Sequence, residues 1–278
     1  MTQQEGPDFR ALLEQQLQLE ESELELDLAA LYLAGAEYPS LDVAHYLELL
    51  DRLATDVDEA AARTGDSSTL VDLLNRHLFD LQAFSGNTAQ YNNPDNSFLN
   101  RVLDTRLGIP ITLSIVYLEL CRRLGIAARG VGLPGHFVVA IQDMDLYLDP
   151  FHGGQLLSAS DCRRLVLDLF GPLFPWRDEF LNAYTKRDIL FRVMSNLKTI
   201  YAQSRDYRRW SVTLQQMLLI HPLPWIYREL AWCYYQMKDK PNAIQSIEKY
   251  LVLVKTTQDT EVERQQMLSL WNSIARLG

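Results

Sequence analysis

The sequence predicts an α+β fold, predominantly α: a central buried helix packed on a small antiparallel sheet, with a helical N-terminal subdomain and C-terminal helices. Three observations carry this. Apolar residues recur at helical spacing at both ends of the chain. The most apolar stretch is opened by Gly108-Ile109-Pro110 and closed by Gly125, which is helix punctuation. Between Gly125 and Asp149 the pattern changes to short runs rich in Val, Ile and Tyr. The 278 residues, 47% hydrophobic, 22% charged and 10% aromatic, suit one large or two modest domains and exclude a disordered, collagen-like or disulfide-stapled chain. Three segments are expected: 1–83, 84–180 and 181–278.

Taken in order, Gln, Glu and Leu alternate over residues 11–27, after which Leu28, Leu31 and Tyr32, then Tyr46, Leu49, Leu50 and Leu53, follow helical spacing. Pro39 and Ser40-Leu41-Asp42 punctuate this front end, and residues 64–68 form a loop before a third helix over about 70–81. Residues 1–66 hold 16 acids against Arg10, Arg52 and Arg63, so the net charge of −10 is concentrated there and the remainder is near neutral. That balance argues against a nucleic-acid partner, which needs concentrated positive charge. No stretch approaches the roughly 18 apolar residues of a membrane span, and MTQQEGPDFR lacks a basic region followed by an apolar one, so a cytoplasmic location is expected. Cys121, Cys162 and Cys233 lie in apolar surroundings and read as buried thiols of a reducing compartment, not as a disulfide or zinc pattern.

Residues 84–100, FSGNTAQYNNPDNSFLN, read as an ordered polar loop of the kind that is often functional. The central helix follows, to about Leu124. AARGVGL, HFVVAI and DLYLD then predict an antiparallel three-strand meander broken at Pro134-Gly135 and Asp143-Met144-Asp145. Residues 158–180 return to helix and loop, and from Asp188 onward the pattern is helical, with breaks at 204–206, 221–224 and 238–241. RDYRRWSVTLQQML aligns with KDKPNAIQSIEKYL at an offset of 33 residues. Tyr227, Leu230, Ala231, Tyr234, Ala243, Ile247 and Tyr250 match the tetratricopeptide pattern in spacing, and the tail resembles a pair of such repeats packed on the preceding domain.

A helix, a strand beginning at His136 and a strand ending at Asp149 give the chain order of a Cys-His-Asp site. In that chemistry the dipole of a helix N-terminus and an imidazolium hold a thiolate, the His moves the proton and the Asp orients the ring. RRLGIAARGVGLPGHFVVA followed by LYLDP resembles the transglutaminase core. With FSGN, NPDNSFLN, RLGIPITLSIVYLELCRRLG, PGHF and DPFHGG, residues 25–275 resemble the bacterial SirB family, a transglutaminase-like core with tetratricopeptide-like repeats. The resemblance implies a nucleophilic Cys at the position of Pro110, where none stands. Cys121 lies eleven residues further along the helix, roughly 16 Å at about 1.5 Å per residue and near the wrong end of the dipole.

Two hypotheses follow. The leading one is a non-catalytic scaffold or adaptor that recognises a protein or peptide, as implied also by similar domains in F-box-type substrate adaptors of regulated proteolysis. Tyr91, Asn93, Asn96, Asn100, His136, Asp149 and His152 would line its cleft. The seven cations Lys186, Arg187, Arg192, Lys198, Arg205, Arg208 and Arg209 would form a partner-binding basic face, or pair with the acidic front end. The alternative is an amide hydrolase or acyl transferase in which Thr112 or Ser114 serves as hydroxyl nucleophile with His136 and Asp149. His136 and Asp149 have a structural reading as well, as a pair bracing the sheet, and His152 as a turn residue. Without HExxH or paired Cys, neither a metal nor another cofactor is expected.

Overall fold

Asp8 opens α1 (Phe9–Gln18) by accepting the Ala11 amide at 3.1 Å. α2 (Leu26–Gly35) is apolar nearly all round because it is buried nearly all round. α3 (Val43–Ala61) and α4 (Ser67–Asn75) complete the front end. The computed structural model describes residues 6–61, 67–254 and 261–275, in two compact units, 1–193 and 194–278. Residues 64–66 of the expected loop lie outside the described residues, while Ser67 and Ser68 already belong to α4. The helix expected over 70–81 is α-helical only to Asn75 and then widens into a π-helical turn, Arg76–Leu81. That turn stacks Phe79 on Tyr117, while the Asn75 side chain accepts the Tyr117 hydroxyl and reaches the Gly154 carbonyl.

The polar loop is ordered by a two-stranded parallel pairing of β1 (Ser85–Gly86) with β2 (Leu107–Gly108), around a 3-10 turn at Pro94–Ser97 and α5 (Leu99–Thr105). α6 (Pro110–Arg123) follows, with Pro110 at its first position and eleven of its fourteen residues buried, as expected of a central helix. The sheet has four strands, not three. β3 (Ala128–Val131), β4 (Val138–Ile141), β5 (Leu146–Asp149) and β6 (Gln155–Leu157) pair antiparallel in that order. β6 is three residues long, too short to display an alternating pattern of its own. α7 (Ala159–Phe170), capped by Ser158 and Asp161, covers the sheet through Cys162 and Val166. The chain is thus α+β and predominantly α.

Ionic contacts bind the front end to α6. Arg123 meets Asp27 of α2 at 2.7 Å, Asp51 of α3 at 2.7 Å and Glu119 one turn back at 2.9 Å, and Arg122 meets Asp27 and Glu119. Burial and the neighbouring Asp27 push the Glu119 carboxyl up. Burial acts the same way on Asp27, but Arg123 and Arg122 outweigh it and hold that carboxyl low. The acidic front end therefore neutralises the basic last turn of α6, which itself complements the helix dipole.

α8 (Lys186–Ser204) contains the division between units, and α9 (Tyr207–Ile220), α10 (Pro224–Gln236), α11 (Lys240–Val254) and α12 (Glu261–Ala275) make up the rest. Arg205 and Lys238 take left-handed conformations at two of the expected breaks. Pro241 breaks nothing, because it lies in the first turn of α11, where its missing N–H is not needed. Ala231, Ala243, Ile247 and Tyr250, which match the tetratricopeptide pattern in spacing, belong to a buried apolar cluster of this unit with Val254, Met267 and Ile274, and Tyr227 and Tyr234 pack against it. Among the described residues no helix is long and apolar enough to cross a membrane.

Candidate functional site

Short-range geometry builds the site from two turns. Leu133-Pro134-Gly135 bends back so that the His136 amide donates to the Leu133 carbonyl at 3.1 Å, and the ring enters two residues ahead of β4, which begins at Val138 and not, as expected, at His136. At the end of β5, Asp149 caps the 3-10 turn Pro150–His152: its Oδ1 accepts the amides of Phe151 and His152 at 3.0 and 3.3 Å. The other oxygen, Oδ2, lies 2.7 Å from His136 Nε2 and 2.7 Å from His152 Nδ1. Asp149 and His136 are buried, while the His152 side chain is 53% exposed. Burial alone would raise the Asp149 carboxyl, but the two imidazoles hold it below the ordinary carboxylate range. An ionised carboxylate only accepts, so both rings donate to Oδ2, and in the neutral tautomers that do so the second nitrogens, His136 Nδ1 and His152 Nε2, are acceptors.

Phe151 is the hub of the aromatic surround. Its ring lies edge-on to His136, His152 and Tyr91, with centroids at 6.0, 5.2 and 5.9 Å. It lies so close to β1 that a Cβ on Gly86 would fall 2.6 Å from it, which explains the glycine of FSGN. Sequence reading missed Phe151; its position between Asp149 and His152 in DPFHGG was the available signal.

Of the residues expected in a cleft, the structure gathers Tyr91, His136, Asp149 and His152 into this cluster. It uses the asparagines elsewhere. Asn93 caps the 3-10 turn at Pro94, and Asn96 ties the loop by donating to the Gln90 and Tyr91 carbonyls and accepting from Asn87. Asn100 is buried beside the Tyr46 hydroxyl, where α5 meets α3. Thr112 Oγ1 accepts the Ile109 amide and donates to the Asn96 carbonyl at 2.6 Å, and Ser114 Oγ donates to the Pro110 carbonyl at 2.8 Å. Neither hydroxyl is directed at His136. The three thiols are buried and unactivated: burial pushes Cys121 up, and Cys162 and Cys233 up to about 12.

The basic residues have separate fates. Lys186 donates to the Leu24 carbonyl, and Arg187 to Glu21 and to the Leu17 and Leu19 carbonyls, which is pairing with the front end. Arg192 lies near enough to ease the Tyr91 phenol downward against the larger upward push of burial. Lys198 pairs with Glu229 and Arg209 with Asp206, while Arg205 and Arg208 are exposed.

Comparison with known proteins agrees with this architecture. Residues 44–195 match the transglutaminase-like superfamily model. A UPF0162 protein of Xylella fastidiosa is 32% identical over 264 residues, covering 91% of this chain and 92% of its own. The UPF0162 protein of Pseudomonas aeruginosa is 29% identical over 226 residues, covering 81% and 83%. Human F-box only protein 21 is 33% identical over 109 residues, 36% of this chain but 17% of that protein. With its buried α6, its antiparallel sheet, His136 just ahead of β4 and Asp149 at the end of β5, the chain belongs to the transglutaminase-like superfamily and, within it, to the UPF0162 family.

Proposed function

We propose that the chain is a non-catalytic recognition module, a scaffold or adaptor for a protein or peptide, built on a transglutaminase-like domain of the SirB type that lacks a nucleophile. The observation that carries this reading is at the start of α6. Pro110 stands where the superfamily resemblance requires a cysteine, and the hydroxyls of Thr112 and Ser114 donate to backbone carbonyls instead of to His136. The polar half of a catalytic site survives, and the reacting atom does not. His136 and Asp149, walled by Phe151 and Tyr91, offer an imidazole acceptor and aromatic faces suited to an extended peptide or a side-chain amide. The tail, read as tetratricopeptide-like, supplies exposed side chains for a partner: Arg205 in the turn after α8, Arg208 on α9 and Trp232 on α10. Similarity to part of a protein named for an F-box points the same way.

The test is capture from native lysate with the full chain, its His136→Ala variant and an Arg205→Glu/Arg208→Glu variant, each confirmed folded by thermal melt. A stoichiometric partner that rebinds in purified form, and is lost from one variant, supports the reading and locates the surface. An amide-hydrolysing or acyl-transferring activity that disappears in Thr112→Val or Ser114→Ala would replace it with the enzyme reading.

A further inference from the structure

Two imidazoles converge on one oxygen of a buried carboxylate, and one ligand atom from each of His136, Asp149 and His152 lies within 4.8 Å of the other two. From this geometry we propose that the three residues form a binding site for a divalent transition-metal ion of the zinc class, a property the recognition reading neither requires nor implies.

The donor set selects the class of ion. Two neutral imidazole nitrogens and one carboxylate oxygen suit borderline ions such as Zn2+, Co2+ or Ni2+, whereas Mg2+ and Ca2+ prefer oxygen throughout. The carboxylate is already oriented: Oδ1 is held by the amides of Phe151 and His152, leaving Oδ2 directed at the rings. That is the outer support on which the affinity of metal sites depends. Asp149 and His152 are fixed three residues apart on one 3-10 turn. Behind that turn Gly154 lies against Phe79, and a Cβ there would fall 2.5 Å from the Phe79 ring. His136 comes from the segment that leads into β4, so two parts of the chain share the site. Exposure is asymmetric, with Asp149 and His136 buried and His152 half-exposed, so an ion would have protein on one side and room for water or a partner's donor on the other.

Metal–ligand distances of about 2.0–2.2 Å put ligand atoms about 3.3 Å apart, so Oδ2 and each nitrogen separate by roughly half an ångström, while the two ring nitrogens, now within 4.8 Å of each other, draw together by rotation of the half-exposed His152 side chain. The ligating nitrogen of each ring has to be unprotonated, so a neutral ring carries its proton on the other nitrogen, Nδ1 of His136 and Nε2 of His152, and a protonated ring first releases one to solvent. The ion replaces two N–H···O contacts with three coordinate bonds. The spacing of these residues matches no linear metal motif. The antiparallel pairing of β4 with β5 brings the segment before β4, with His136, alongside the end of β5, with Asp149.

The full-length protein, stripped with EDTA, is titrated calorimetrically with Zn2+ and separately with Co2+ at neutral pH, with visible absorption reporting nitrogen and oxygen ligation of cobalt. Wild type is compared with His152→Ala, Asp149→Asn and the exposed control His45→Ala. One equivalent per chain is expected, unchanged in His45→Ala and weakened on the order of 10–100-fold in His152→Ala. The half-exposed position of His152 spares the fold, which a thermal melt confirms. Absence of stoichiometric uptake, or equal affinity in wild type and His152→Ala, overturns the proposal. Partner capture with stripped protein is scored separately and bears only on the recognition reading.

Discussion

Asp149 sets the pH behaviour of the site. Its carboxyl is held below the ordinary range, so the folded chain takes up that proton less readily than the unfolded one. The stabilisation is therefore complete above the unfolded value of about 3.9 and lost as pH falls through the lower folded value. Asp149→Asn, which keeps an oxygen for the Phe151 and His152 amides, is expected to flatten this acid loss in melts taken from about pH 7 downward; an unchanged acid slope would contradict the assignment. Thr112 has a structural duty of similar weight. Thr112→Val leaves the Ile109 amide and the Asn96 carbonyl without their buried partner, at a cost of about 1–3 kcal/mol in denaturant unfolding, while Thr112→Ser restores it. His136 and Asp149 were legible in the sequence because each stands at the end of a β-patterned run. The commitment of Thr112 was not, since its acceptor is a backbone carbonyl sixteen residues away, in a loop whose path no local pattern fixes.

At the scale of elements, the turn after β5 places His152, and its glycines make that possible. Gly154 combines φ of +78° with a site where a Cβ would fall 2.5 Å from the Phe79 ring. Gly154→Ala therefore meets both a backbone penalty of about 1–2 kcal/mol and a packing clash. It should lower the melting temperature more than Gly153→Ala, whose Cβ would meet nothing within 4 Å. Equal effects would show that the Phe79 wall does not hold the turn. Most of the helices and the strands β3–β5 were readable from period and punctuation, but α5 and the two-residue strands β1 and β2 were not. The fourth strand and the π-helical turn were not: β6 has three residues, and π-widening leaves the apolar spacing of residues 70–81 within the range of an ordinary helix.

For the whole molecule, the charge asymmetry of the sequence has a structural use, because the acidic front end meets the arginines that close α6. Asp27 is buried between Arg122 and Arg123, which keep Glu119 and, for Arg123, Asp51 as partners, so Asp27→Ala removes two charged contacts without stranding either cation and should cost about 1.5–3 kcal/mol in chemical denaturation. A loss under about 1 kcal/mol would mean the cluster is solvated and the front end held by apolar packing alone. The central claim is that this site retains its His–Asp pair without a nucleophile. The direct measurement is intact mass of the full-length protein after incubation with a hydroxyl-directed fluorophosphonate and, separately, a thiol-directed acyl probe. The account predicts no stoichiometric adduct from either probe; a single adduct on Thr112, Ser114 or a cysteine, abolished by Asp149→Asn in a folded protein, would contradict it.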